Sequence, residues 1–224
     1  MSKQFLYIAA FIVICFPSCR KNKRKEDAVK IVKEWTGKEI RFPQGLSCTS
    51  VGKDTTCVDL YTDNYKVILY VDSLGCTSCR LKLAEWNKIM RESDSVFVRK
   101  PEFVFFFQPK KREEKEMQSI FRQNGFKHPV FIDKENEIGK MNQFPSNPEY
   151  QCFLIDKSNK VLLVGNPSLV SGIWLLFKRV INEREARELT MEKGGEFFNP
   201  NENATHPPDL PVIKKGGRKS TKLI

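Results

Sequence analysis

The pair Cys76 and Cys79 lies between a predicted strand and a predicted helix. The strand is the run Tyr65 to Val71, which is rich in β-branched and aromatic residues, and the helix begins near Cys79 with an apolar stripe at helical spacing. Structural bridges and zinc sites also use a CxxC, but a CxxC at a strand-to-helix junction is a much narrower class. The pattern therefore indicates a redox pair in a strand, loop and helix unit.

The position of Cys76 favours ionisation of its thiol. A thiolate near a helix N-terminus faces unpaired backbone N–H groups and the positive end of the helix dipole. We therefore expect Cys76 to ionise more readily than a free cysteine, whose pKa is about 8.5. Cys79, three residues later, is placed to close a disulfide with it.

The N-terminus has the three parts of a secretory signal. Lys3 supplies the positive start, Phe5 to Phe16 the apolar middle, and Ser18 the small residue at its end. The segment Phe16-Pro17-Ser18-Cys19 resembles the lipobox of bacterial lipoproteins, and this resemblance implies a lipid on Cys19 and a membrane-anchored protein that faces the periplasm. The alternative is a soluble periplasmic protein in which Cys19 is an unpaired residue.

The formal net charge of +11 does not indicate a nucleic-acid-binding protein. The basic residues are dispersed and concentrate only at Arg20 to Lys25 and at Lys214 to Lys222, which suit a membrane-proximal tether and a solvated tail. An exported chain also has little access to nucleic acid. We predict a signal peptide at 1–18, a tether with a short amphipathic helix at 19–38, one domain at 39–190 and a disordered basic tail at 191–224.

The number of cysteines suits an oxidising compartment. Of seven, Cys15 would leave with the signal and Cys19 would carry lipid, so two pairs and one remainder are left. A two-residue turn on Gly52-Lys53 would set Cys48 and Cys57 directly opposite each other, with Cα atoms about 4.5 Å apart, within disulfide reach. This predicts a structural disulfide; the alternative is two reduced or separately buried cysteines.

The remaining pattern alternates strands and helices. It predicts a mixed sheet with helices on both sides. The expected elements are a helix at Glu26–Trp35, a strand at Glu39–Phe42, a cysteine hairpin at Leu46–Leu60, strands at Tyr65–Val71, Phe103–Phe107, Pro129–Ile132, Gln151–Ile155 and Val161–Val164, and helices at Cys79–Glu92, Lys111–Gln123, Glu137–Gln143 and Gly172–Glu185.

This order resembles the thioredoxin-like fold, in particular the exported thiol-disulfide oxidoreductases and their peroxiredoxin-like relatives, which carry an extra strand and helix in mid-domain. The resemblance spans Glu39 to Glu185 and is carried by the segments 70–79, 129–133 and 153–156 with 161–165. It implies that Cys76 attacks and Cys79 resolves, that protein thiols and disulfides of the envelope are the partners, that no metal or organic cofactor is needed, and that reduction is the favoured direction. The oligomeric state stays open.

The chain departs from that family at three places near the pair. Tyr150 stands where a cis-proline is usual, Gly75 replaces the tryptophan before the first cysteine, and Tyr70 stands where a buried acid is common. Asp72 and Glu85 are the nearest carboxylates to the pair.

Several other interpretations remain open. The pair could pin a loop in a non-catalytic binding or scaffold lipoprotein, or belong to a thiol peroxidase, although Thr77 and Arg80 lack the peroxidase spacing. Cys152 fits a small buried hydrophobe or a third exchanging thiol, and His128 fits a turn better than catalysis. A zinc site on Cys48, Cys57, Cys76 and Cys79 is disfavoured because the two pairs are not repeated knuckles.

Overall fold

The computed structural model describes residues 24–51, 53–72, 81–110 and 113–193. Cys19, Cys76 and Cys79 lie outside these ranges, as do the predicted signal peptide and most of the predicted tail. The chain divides into two compact units, the first ending at Glu185. Of the second unit, residues 186–193 are described and are helical.

The first unit is built on one mixed sheet, to which the described residues contribute seven strands. They are β1 (Ser47–Ser50), β2 (Lys53–Asp54), β3 (Lys66–Val71), β4 (Glu102–Phe107), β5 (Val130–Ile132), β6 (Cys152–Ile155) and β7 (Val161–Val164). Their order across the sheet is β2-β1-β5-β4-β3-β6-β7. The neighbours β3, β4 and β5 run parallel, and the other pairs run antiparallel.

Helices cover both faces of this sheet. Within the described ranges they are α1 (24–35), α2 (Leu83–Val96), α3 (Glu114–Gln123), α4 (Glu137–Asn142) and α5 (Ser171–Lys193), with a short 3-10 turn at Pro148–Tyr150. The core cluster on one face combines side chains of α2, α3 and α5, and the cluster on the other combines those of α1 and α4. None of the described helices is long and apolar enough to cross a bilayer.

Strand β3 shows why the sheet needs two layers of helices. All six of its residues are buried, and successive side chains of a strand point to opposite faces. Leu69 therefore belongs to the α2 face and Ile68 to the α1 face. On the α2 face, Trp86 packs edge-on against Phe105, with the ring centroids 5.2 Å apart. This explains the continuous apolar run in the sequence.

The arrangement confirms the predicted α/β thioredoxin-like fold. Strands β3 and β4 are parallel neighbours and are connected by α2. On its other edge β3 pairs antiparallel with β6, which is followed by β7 and α5. Strand β5, preceded by α3, adds to the free edge of β4. Together α3 and β5 are the extra helix and strand expected in mid-domain.

Two element predictions were wrong. The segment Glu39–Phe42 forms no strand and makes a single bridge, from Glu39 to Lys160. Ile40 N–H donates to the Asn159 carbonyl, whereas the backbone of Arg41 is held by a side chain: its N–H donates to Asn142 Oδ1 and its carbonyl accepts from Asn142 Nδ2. The last helix continues to Lys193, eight residues beyond the predicted end at Glu185.

The structure joins Cys48 and Cys57 by a disulfide, with a different register from the predicted one. Ser50 pairs with Lys53, so the turn falls one residue earlier than predicted. Thr49 Oγ1 donates to the Lys53 carbonyl at 3.1 Å, which favours this register. Cys57 consequently lies beyond β2 rather than opposite Cys48, and the two Cα atoms are 5.3 Å apart.

We predict that Cys48→Ser with Cys57→Ser lowers the free energy of unfolding by at most about 3 kcal/mol, because this loop is shorter than the loops for which that value is typical. Urea unfolding under non-reducing conditions measures the difference. Adding a thiol reductant should destabilise the parent chain and bring it close to the double variant. Equal stability of the two chains without reductant would contradict a stabilising role for this bridge.

Candidate active site

The predicted redox pair belongs to the segment 73–80, and the structure describes the residues on both sides of this segment. Asp72 follows β3 directly, and Leu81, on the other side, is helical and 2% exposed. The regular helix α2 begins at Leu83, after Lys82 takes a left-handed backbone conformation with φ of +48°. The segment therefore connects the carboxyl end of a central strand to a helix packed on one face. The roles of Cys76 and Cys79 stay predictions, since both lie outside the described residues.

A polar joint ties the start of this segment to the strand on the other side of β3. Gln151 is 3% exposed, and its Nε2 donates to Asp72 Oδ2 at 3.1 Å and to the Pro145 carbonyl at 2.9 Å. Its own carbonyl accepts from Tyr70 N–H at 2.9 Å, which extends the ladder between β3 and β6. Gln151 thus fixes Asp72 relative to the loop before β6.

Sequence reasoning missed Gln151 as a site residue. The sequence does contain one indication of its role, a polar residue at the start of an apolar strand. A buried amide needs hydrogen-bond partners, so such a residue is expected to connect neighbouring segments. The loop before it holds Tyr150, at the place where the related family usually has a cis-proline. Every peptide bond in the described ranges is trans, and Tyr150 ends the 3-10 turn that Pro148 begins.

The carboxylates near the pair differ in their surroundings. Asp72 is partly buried and bonded to Gln151, whereas Glu85 is exposed on α2. Among the described residues the buried carboxylate is Asp133, which accepts from Glu137 N–H at 2.7 Å and Ile138 N–H at 2.9 Å and so caps α4. Asp133 therefore has a structural role at the end of β5.

Tyr70, which stands where a buried acid is common, faces away from α2. Its side chain belongs to the core cluster on the α1 and α4 face. The hydroxyl lies 2.8 Å from Asn136 Oδ1 and 3.2 Å from Gln108 Oε1. These contacts join the ends of β3 and β4 to the start of α4, on the face opposite the helix that follows Cys79.

Cys152 behaves as a buried hydrophobe in this structure. It pairs with Leu69 across β3 and β6, is fully buried, and lies in the core cluster of the α2 face. Burial raises the pKa of its thiol well above the usual range. A neutral, enclosed thiol is a poor nucleophile, so Cys152 is unsuited to act as a third exchanging thiol.

His128 is held as part of the framework. Its Nε2 lies 2.7 Å from the Phe103 carbonyl, and its ring contacts Phe105 with the centroids 5.2 Å apart. Burial lowers its pKa, and the hydrogen bond to Phe103 opposes that effect. In the described ranges no group of three or more cysteine, histidine or acidic residues is arranged to hold a metal ion.

Comparison with solved structures finds thioredoxin-like proteins. The chain is similar to a putative protein disulfide isomerase from Bacteroides thetaiotaomicron (13% identity, 68% of this chain and 94% of that chain covered, TM-score 0.47). It is similar to the thioredoxin domain of a thiol-disulfide oxidoreductase from Bacteroides vulgatus (14% identity, 63% and 97% covered, TM-score 0.44). A third similar structure is the peroxidoxin BcpB from Mycobacterium tuberculosis (18% identity, 65% and 97% covered, TM-score 0.46). No family model matches the chain, and no curated protein matches it. The fold assignment accordingly rests on the strand order described above.

We predict that Cys152 resists alkylation in the folded chain. Because the thiol is fully buried, iodoacetamide should leave it unmodified until denaturant exposes it. Mass spectrometry of the cysteine-containing peptides, before and after guanidinium, measures this. Labelling of Cys152 in the native chain at the rate of an exposed thiol would contradict the packing.

We predict that His128 makes the protein less stable as the medium becomes acidic. Its pKa in the folded chain is below the ordinary 6.5, so the unfolded chain binds the proton more readily. The free energy of unfolding therefore falls as the pH drops from above 6.5 to the folded pKa, and the contribution of His128 levels off below that pKa. The slope from this one group is at most about 1.4 kcal/mol per pH unit. His128→Gln should flatten that slope in unfolding curves recorded across this range.

His206→Gln is the matched control, since the chain has two histidines. An unchanged slope in His128→Gln would show that other groups cause the acid sensitivity.

Proposed function

We propose that the protein exchanges disulfides with partner proteins of the bacterial envelope through Cys76 and Cys79. The observation that carries the proposal is the connection made by residues 73–80, which lead from the carboxyl end of the central strand β3 to the helix α2. In a thioredoxin-like sheet this junction can present a thiol at the protein surface beside a helix start. None of the three cysteines in the described ranges offers this combination, since Cys152 is enclosed and Cys48 is bonded to Cys57.

The exchange needs two displacement steps. The Cys76 thiolate attacks one sulfur of a partner disulfide, forming a mixed disulfide and releasing the other partner sulfur as a thiolate that takes up a proton. The Cys79 thiol then loses its proton and attacks the Cys76 sulfur, which releases the second partner thiol. The partner gains two electrons and two protons, and Cys76 and Cys79 end as a disulfide.

The direction we propose is reduction of the partner, by analogy with the related family. A dithiol reductant then completes the cycle by returning two electrons to the Cys76–Cys79 disulfide. In an assay dithiothreitol supplies them. The CxxC spacing occurs in oxidants as well as in reductants, so the direction rests on this analogy.

The same proposal places the protein at a membrane through lipid on Cys19, facing the periplasm. It is supported by the basic start, apolar middle and small residue before Cys19 in the sequence. Intact-mass measurement of the protein purified from bacterial membranes should show cleavage before Cys19 and an added diacylglyceryl group. A mature chain without lipid would favour the soluble periplasmic alternative.

We predict that Cys76→Ser abolishes turnover of a model disulfide by the purified chain. Cys79→Ser should leave the attacking thiol in place but unable to resolve, so it should accumulate a mixed disulfide that mass spectrometry detects. Cys152→Ala is the matched control, and it should retain turnover because its thiol is enclosed.

Two results would assign the pair another role. A Cys76–Cys79 disulfide with a reduction potential below about −300 mV and no turnover would indicate a structural bridge in a binding or scaffold protein. Consumption of hydrogen peroxide at the expense of a thiol, without disulfide turnover, would indicate a thiol peroxidase.

A further inference from the structure

Helix α1 has a packed side and an exposed side. On the packed side Trp35 is 1% exposed and stacks on Phe144 with the ring centroids 5.6 Å apart, and Ile31 packs against the same core cluster. On the other side Val29 and Val32 are 59% and 38% exposed. The packing of Trp35 and Ile31 therefore fixes which side of α1 points outward.

Two lysines lie on the outward side of α1 with the two valines. We name the set Lys25, Val29, Val32 and Lys33 the outer stripe, because at 3.6 residues per turn these positions fall within an arc of about 100° around the helix. All four residues are exposed. None of the ion pairs in the described ranges includes Lys25 or Lys33. The outer stripe thus combines exposed apolar groups with cations that no described carboxylate pairs.

The carboxylates of α1 are set apart from the outer stripe. Asp27 and Glu34 line the cleft that α1 forms with the turn Pro148–Tyr150. On the outward side, Glu26 shares an open groove with Val29 and the lysines at positions 25, 30 and 33. Three lysines and one carboxylate give this groove a net charge of +2. The outward side of α1 therefore attracts an anionic partner.

The place of α1 in the chain favours a membrane as that partner. Cys19, the proposed lipid site, is six residues before Lys25, so an extended chain would separate their Cα atoms by at most about 22 Å. Four of the five residues between them are basic. Basic residues beside a membrane anchor are attracted to anionic headgroups. A lipid on Cys19 would thus hold the outer stripe within reach of a bilayer whose surface carries the opposite charge.

We propose that the outer stripe of α1 rests on the headgroups of an anionic phospholipid bilayer, with its lysines beside phosphate groups and its valines between the headgroups. A helix that lies in a membrane interface has this combination of apolar and cationic side chains. The inference goes beyond disulfide exchange, and it rests on the proposed lipid at Cys19 for a second point of attachment. Because α1 and α2 cover opposite faces of the sheet, α2 would lie on the side away from the bilayer.

The first test measures the contact of the protein without its lipid. A chain without residues 1–18 and with Cys19→Ala is sedimented with vesicles of phosphatidylglycerol and phosphatidylcholine, and with vesicles of phosphatidylcholine alone. The chain should bind the anionic vesicles more tightly, and added salt should weaken this binding. Lys25→Gln with Lys33→Gln should lower the partition coefficient by up to about fivefold for each lysine.

The valines distinguish contact through α1 from attraction of the basic residues alone. Val29→Ser with Val32→Ser should lower the partition coefficient by up to about tenfold, because the variant has less apolar surface to remove from water. The matched control is Val98→Ser with Arg99→Gln, which changes a valine that is 96% exposed and an exposed arginine in the loop between α2 and β4. It should bind like the parent chain. Circular dichroism verifies that each variant is folded.

The second test uses the mature protein with its lipid, in the same two kinds of vesicle. A water-soluble acetylating reagent should modify Lys25 and Lys33 more slowly on the anionic vesicles than on the neutral ones. Lys115, exposed on α3 at the other face of the sheet, is the control and should react equally on both.

Loss of binding in both outer-stripe variants but not in the control, together with protection of the two lysines, supports the inference. Parent-like binding in the valine variant would show that the basic residues bind alone, and equal loss in the control would show that another surface binds. Either result overturns the inference and leaves lipid attachment and disulfide exchange standing. A mature protein without lipid on Cys19 overturns the proposed membrane location, and this inference with it.

Discussion

Strand β3 is hydrogen-bonded along both edges and buried on both faces, and the rest of the fold is arranged around it. Parallel pairing with β4 requires a crossover, which α2 supplies, and antiparallel pairing with β6 brings the loop before β6 to the carboxyl end of β3. Because β3 has apolar side chains on both faces, the helices must form two layers. The position of the segment 73–80 follows from this single strand.

One polar joint orients that end of the sheet. Gln151 is the buried amide that connects Asp72, the Pro145 carbonyl and, through its backbone, Tyr70. A buried amide left without partners costs free energy, so the joint holds its geometry. It links Asp72, just before the proposed redox segment, to the loop before β6.

The predicted elements that failed share a cause. The segment Glu39–Phe42 has the alternation of a strand, but Asn142, a residue about a hundred positions later, takes both backbone groups of Arg41. The cysteine hairpin was predicted with the wrong turn, because the pairing that Thr49 makes with β5 and with Lys53 sets the register. Both outcomes involve contacts between residues distant in sequence, Asn142 with Arg41 and Thr49 with Val130 of β5, and a local pattern does not contain such contacts.

The order of strands and helices and the strand-to-helix location of the cysteine pair were determined by the sequence itself, since apolar periodicity and a CxxC spacing are local properties. Only the tertiary structure decided that Cys152 is enclosed, that Gln151 holds Asp72 and that α1 packs through Trp35 on Phe144 in the loop before β6. The physical reason is that burial, hydrogen-bond partners and the clustering of charges depend on which distant segments pack together, and those contacts exist only in the folded chain.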